Sequence, residues 1–267
     1  MTRKDGLLAL LVVVVWGLNF VVIKLGLHNM PPLMLAGLRF MLVAFPALLF
    51  VARPAIPLRL LLGYGLTISF GQFAFLFCAI GLGMPAGLAS LVLQAQAFFT
   101  IILGAFVFGE RLQGKQLAGI ALAIFGVLVL VEGSLGGEHV PLVGFMLTLA
   151  AALSWACGNI FNKKIMSHAA RPPIMSLVVW SALIPVLPFM LASWLIDGPQ
   201  TMLASLQHID LLTILSLLVP VVGMASAALL LGETLSALQL TGAVLIMAGL
   251  YINVFGLRLV RPGMARG

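Results

Sequence analysis

The sequence predicts an all-α polytopic membrane protein made of two inverted five-helix repeats, here with about nine spans because one helix of the second repeat is absent. Three observations carry that prediction. The 267 residues are 63% hydrophobic and only 8% charged, with a mean hydropathy of +1.23, whereas ordinary soluble domains carry about 25% charge. Apolar runs of crossing length follow one another along the chain. Two parts of the chain match each other.

A span needs roughly 20 apolar residues at 1.5 Å each, which places helices near 7 to 27, 33 to 51, 60 to 81, 86 to 108, 115 to 131, 141 to 161, 173 to 195, 211 to 231 and 237 to 256. The first combines a basic head, Arg3 and Lys4, with a long apolar run and no small-x-small cleavage site, so it reads as a retained span rather than a signal peptide. Prolines and glycines mark most breaks, as in "MPP" at Met30, "ARPAIP" at Ala52, "GLGMPAG" at Gly81 and "RPP" at Arg171.

Orientation follows from the basic residues. Arg3 and Lys4, then Arg53 and Arg59, then Arg111 and Lys115, then Lys163, Lys164 and Arg171 fall in alternate loops, all on one side, and the positive-inside rule makes that side, with the N-terminus, cytoplasmic. The opposite loops hold Glu132, Glu138, Asp197 and Asp210. The net charge of +7 is used up in these short clusters, which excludes a nucleic-acid-binding surface.

The stretch from Phe108, "FGERLQGKQLAGIALAIFGVLVLV", matches "LGETLSALQLTGAVLIMAGLYINV" from Leu231 without a gap, pairing Gly109 with Gly232 and Glu110 with Glu233. Trp16 likewise pairs with Trp155, Asn19 with Asn159, Lys24 with Lys164, and Pro31 and Pro32 with Pro172 and Pro173, allowing one-residue shifts. Residues 1–135 are then the first repeat and 136–267 the second. Five spans per unit, an odd number, inverts one unit relative to the other. The interval from Pro32 to Glu110 holds three spans, but the shorter one from Pro173 to Glu233 holds only two. A tenth span would also return Arg258, Arg261 and Arg266 to the cytoplasm, so the seam is expected near Leu212 to Pro220.

Several polar side chains lie within the spans. Trp16 and Asn19 share one helical face, as do Trp155 and Asn159, and a midplane cavity between the repeats would have both pairs on its wall. The plain alternative is interhelical hydrogen bonding, worth about 0.6 kcal/mol per bond. Gln72 lies mid-span with Ser69 a turn earlier, and Gln94 shares a face with Ser90. Gln94 and Gln96 point roughly 200° apart on an ideal helix, so at most one should face a cavity, and Gln94 is the preferred one. Arg39 sits roughly 12 Å into the second span at helical rise, where a guanidinium needs a carboxylate, carbonyls or water. These are the candidate substrate-binding residues.

Lys24 is placed to snorkel to the surface, and Glu110 and Glu233 are interfacial caps or loop contacts. No Asp or Glu lies mid-span, so a carboxylate relay is not supported, and exchange or facilitated efflux stay open. Gly119 with Gly126, and Gly242 with Gly249, form smooth stripes for scaffold packing or a homodimer face. Cys78 and Cys157 read as packing. His28, His139, His168 and His208 fall in loops without metal spacing. Neither a metal nor a cofactor is implied, and an intramembrane enzyme would need a nucleophile, metal ligands or paired carboxylates at depth.

At "WGLNFVVIK", "WACGNIFNKK", Arg39 and the two "GE" pairs, the chain resembles the EamA family of the drug/metabolite transporter superfamily, through nearly its whole length. The resemblance implies ten helices in two inverted repeats, and an inner-membrane exporter of amino-acid metabolites of the cysteine pathway, O-acetylserine and cysteine. Its expected partners are a small-molecule substrate and the lipid bilayer. This chain departs from the family pattern in lacking the third helix of the second repeat, part of the wall of the family's cavity. An inactive internal-deletion form, or an exporter of another small metabolite or drug, therefore remain alternatives.

Overall fold

The computed structural model describes residues 14–207 except 15, 18, 50, 136–140, 168–171 and 173. All regular structure among them is helical. Helix α1 is continuous over 19–26, with helical Val14, Trp16 and Gly17 before it. It is followed by α2 (Pro32–Leu48), α3 (Leu58–Gly81), α4 (Ala86–Phe108), α5 (Gly114–Leu135) and α6 (Leu142–Met166). Then come α7 (Ile174–Leu183), α8 (Val186–Ile196) and α9 (Pro199–Gln207). Helices α3, α4 and α6, and the run Ser176–Ile196, are long and apolar enough to cross a membrane, while α2 and α5 contain shorter apolar stretches. Expected spans 211 to 231 and 237 to 256 lie outside the described residues, as do Glu233, the Gly242–Gly249 stripe, His139, His168, His208 and the tail arginines.

Prolines set the starts. Pro57, Pro85 and Pro141 cap α3, α4 and α6, and Pro32 and Pro199 open α2 and α9, where the first turn has no use for an N–H. Gly109 ends α4 at φ 66°, a left-handed conformation that a side chain would strain. Two elements differ from expectation. The seventh span is interrupted by a turn at Ile184 and Pro185, because Pro185 cannot donate into the helix before it. The stretch after Asp197, expected as a loop, forms α9, with Pro199 first and good helix formers Met, Leu and Ala behind it.

Among the described helices α6 packs most extensively, against α3 and α4, while α2 packs on α7 and α8. Its contact with α3 is close because small residues meet there: a Cβ on Gly158 would fall 2.6 Å from Ile68 Cβ, and one on Gly63 2.4 Å from Phe161. At this contact α3 widens into a π-turn, Gly65–Gly71. The Thr67 carbonyl accepts the Gln72 N–H and also the Ser154 hydroxyl of α6 at 2.8 Å, and the Thr67 hydroxyl donates to the Gly63 carbonyl at 2.7 Å. A backbone irregularity at membrane depth is thus supplied with partners from within the protein, as hydrocarbon surroundings require. On α5, Gly119, Ala123, Gly126 and Leu130 are buried along one stripe while Ile124, Phe125 and Leu128 are exposed.

Candidate functional site

Helices α1 and α6 meet at their tryptophans. The Trp16 and Trp155 rings are in edge contact, 4.8 Å between centroids at 69°, with Trp16 still 46% exposed. Such aromatic pairs contribute about 0.5–1.5 kcal/mol beyond area burial.

One turn beyond Trp16, Asn19 Oδ1 accepts a hydrogen bond from Arg39 Nη2 of α2 at 2.7 Å. The Arg39 guanidinium also lies over the Phe77 ring of α3, 5.5 Å from its centre. The need for partners at that depth is met by an amide oxygen and an aromatic face, but only in part: Nη1 is buried with no hydrogen-bond partner among the described residues. An N–H of a permanent cation is expensive to leave in that condition.

One turn beyond Trp155, Asn159 Nδ2 donates to Gln96 Oε1 and to Thr100 Oγ1, each at 3.0 Å. The Thr100 hydroxyl in turn donates to the Gln96 carbonyl at 2.7 Å. Four residues further along α6, Lys163 pairs with Glu110 just past the end of α4, its ammonium 4.6 Å from the centre of the Phe108 ring. Glu110 thus makes a contact at the helix end.

The structure therefore joins the two tryptophans directly and gives Asn19, Arg39 and Asn159 partners across helices. Gln72 is buried, 6% exposed, at the end of the π-turn. Gln94 is half-buried, and Ser90 on its face turns its hydroxyl back to the Gly87 carbonyl. Gln96, not Gln94, reaches Asn159. Gln94 sits in a short 3₁₀ turn, Leu93–Ala95, and Gln96 just after it, where the spacing departs from the ideal 100°. A sequence signal for Gln96 and Thr100 did exist, since they sit four apart on one face, but Ser90 and Gln94 show the same spacing. Phe77 had no distinguishing signal among so many aromatics.

A helical bundle holding amide and guanidinium groups between its apolar helices has the build of a membrane transporter. A model of the "EamA-like transporter family" matches residues 5–132. A protein of Escherichia coli (strain K12) named "Probable amino-acid metabolite efflux pump" is 72% identical over 97% of this chain and 97% of its own length. One of the same name from Salmonella typhimurium is 69% identical over 100% of each. A crystal structure that is 21% identical, covering 92% of this chain and 98% of its own, has a TM-score of 0.51 and shares the fold. The chain belongs to the EamA-like transporter family. Its alignment with the Salmonella protein runs over 299 positions while this chain supplies 267 residues, so at least 32 positions are filled in that relative alone (299 − 267). A shortfall of that size matches one crossing of roughly 20 residues with its loop.

Proposed function

We propose that this chain exports amino-acid metabolites of the cysteine pathway, cysteine and O-acetylserine, from the cytoplasm across the inner membrane. The observation that carries the amino-acid metabolite exporter part of this reading is the 72% identity to a protein named as a probable amino-acid metabolite efflux pump; cysteine and O-acetylserine follow from the family resemblance. In this reading repeats 1–135 and 136–267 rock about a midplane site by alternating access, with no covalent chemistry and with the N-terminus in the cytoplasm. Trp16, Asn19, Arg39, Gln72, Gln94, Trp155 and Asn159 line that site, and the hydrogen bonds across α1, α2, α4 and α6 support it. Cells expressing the chain should release cysteine and O-acetylserine faster than cells with an empty vector; unchanged release of both would overturn the assignment.

A second reading has its own observation. The shortfall of at least 32 positions, with the shortened interval between Pro173 and Glu233, favours an internal-deletion form in which transport is lost. Reporters fused after Gly267, one active only in the cytoplasm and one only in the periplasm, separate the two. A cytoplasmic tail with efflux supports the exporter, and a periplasmic tail without efflux supports the deletion form.

A further inference from the structure

The hydrogen bonds of the two asparagines determine what each amide can offer a ligand. Arginine only donates, so the Asn19 atom that meets Arg39 is the carbonyl oxygen, at 2.7 Å. Among the described residues the Asn19 amide protons remain unengaged, beside a fixed positive charge whose own Nη1 likewise lacks a partner there. Asn159 is the reverse. The Thr100 hydroxyl proton is engaged by the Gln96 carbonyl at 2.7 Å, so Thr100 must accept, and the atom it accepts from is the Asn159 NH2. The second proton of that NH2 goes to Gln96 Oε1 at 3.0 Å. Both donors of Asn159 are engaged, and among the described residues its carbonyl oxygen keeps its lone pairs.

Equivalent side chains at matched positions of the two halves therefore present opposite chemistry, donors beside a cation at Asn19 and an acceptor at Asn159. From these bonds we infer that the site is polarised for a zwitterionic α-amino acid, with its carboxylate at Asn19 and Arg39 and its ammonium at Asn159 Oδ1. The inference rests on the amino-acid exporter reading and deepens it by naming the two groups a substrate must carry.

The spacing agrees. Because α1 is an odd-numbered crossing and α6 an even-numbered one, the helices run in opposite directions. Asn19 lies three residues past Trp16 and Asn159 four past Trp155, so with the rings in contact the amides diverge by about 10 Å at helical rise. Two hydrogen bonds of about 2.9 Å with a small zwitterion between them bridge such a gap.

The test is binding of cysteine, cysteine methyl ester and N-acetylcysteine to the full chain in nanodiscs, measured by calorimetry. The ester removes the carboxylate charge and the acetyl group the ammonium, so each should bind about tenfold or more weaker than cysteine, the loss of a charge-assisted hydrogen bond. Asn19→Ala should shrink the gap between cysteine and the ester alone, and Asn159→Ala the gap between cysteine and N-acetylcysteine alone. Equal binding of the three compounds, binding of none, or a reversed pattern in the variants overturns the inference. Where a variant does not fold, the two analogues on the unmodified protein decide it. Cells that release no cysteine, although the purified protein shows the expected binding, overturn the exporter reading and leave the polarity standing. Cysteine release with equal binding of the three compounds does the opposite.

Discussion

Helices α1 and α6 carry the same Trp-plus-Asn pattern on one face, yet their asparagines end on different kinds of partner. Asn19 accepts from a charged Arg39, whereas Asn159 donates to the neutral Gln96 and Thr100. Aligning the prolines before α2 and α7 explains the asymmetry. The residue corresponding to Arg39 is Trp180, whose indole N–H instead donates to the Val51 carbonyl at 3.0 Å. In the register that pairs Glu110 with Glu233, Gln96 and Thr100 fall opposite Val219 and Gly223. The polar partners of both asparagines thus come from residues 39–100. The two matched stretches share their aromatic and amide groups while the residues that meet them differ, so one amide sits in a positive environment and the other in a neutral one.

That difference should show in stability. The largest effect is expected for Asn19→Leu, which leaves the Arg39 charge without its amide and should cost about 3 kcal/mol, read from unfolding in mixed micelles. Adding Arg39→Met should recover most of the loss, and a double-mutant cycle without coupling would show that the bond seen at 2.7 Å contributes nothing.

A smaller loss, about 1–2 kcal/mol, is expected for Asn159→Leu, because its two bonds join uncharged groups. Thr100→Val should reproduce roughly half of it. If Asn159→Leu proved as damaging as Asn19→Leu, the contrast between charged and neutral settings would be wrong.

The smallest effect concerns the end of the same α6 stripe. Lys163 and Glu110 are 51% and 52% exposed, and an ion pair in that setting is worth about 0–1 kcal/mol. Lys163→Glu should lower stability within that range, and combining it with Glu110→Lys should restore it. A loss well beyond 1 kcal/mol, or no recovery in the double variant, would mean that the contact of Lys163 with the Phe108 ring, 4.6 Å away, matters more than the charge pair.

The sequence by itself determined the apolar, all-helical class, the helix starts at prolines, the matched Trp-plus-Asn motif and the residues able to bond at depth, since hydropathy, helical period and self-similarity are local properties of the chain. It also pointed to Trp16, Asn19, Trp155 and Asn159 as matched pairs. Only the tertiary structure decided which of Ser90–Gln94 and Gln96–Thr100 meets Asn159, because both have the same spacing and a short 3₁₀ turn together with the packing of α4 on α6 chooses the face. The π-turn in α3 was illegible for the same reason: Gly63, Gly71 and Gly158 are unremarkable glycines until α6 lies close enough for Ser154 to reach the Thr67 carbonyl. The direction of each asparagine's hydrogen bonds, on which the polarity of the site depends, is likewise a property of its neighbours. An amide can donate or accept, and only the groups folded against it determine which.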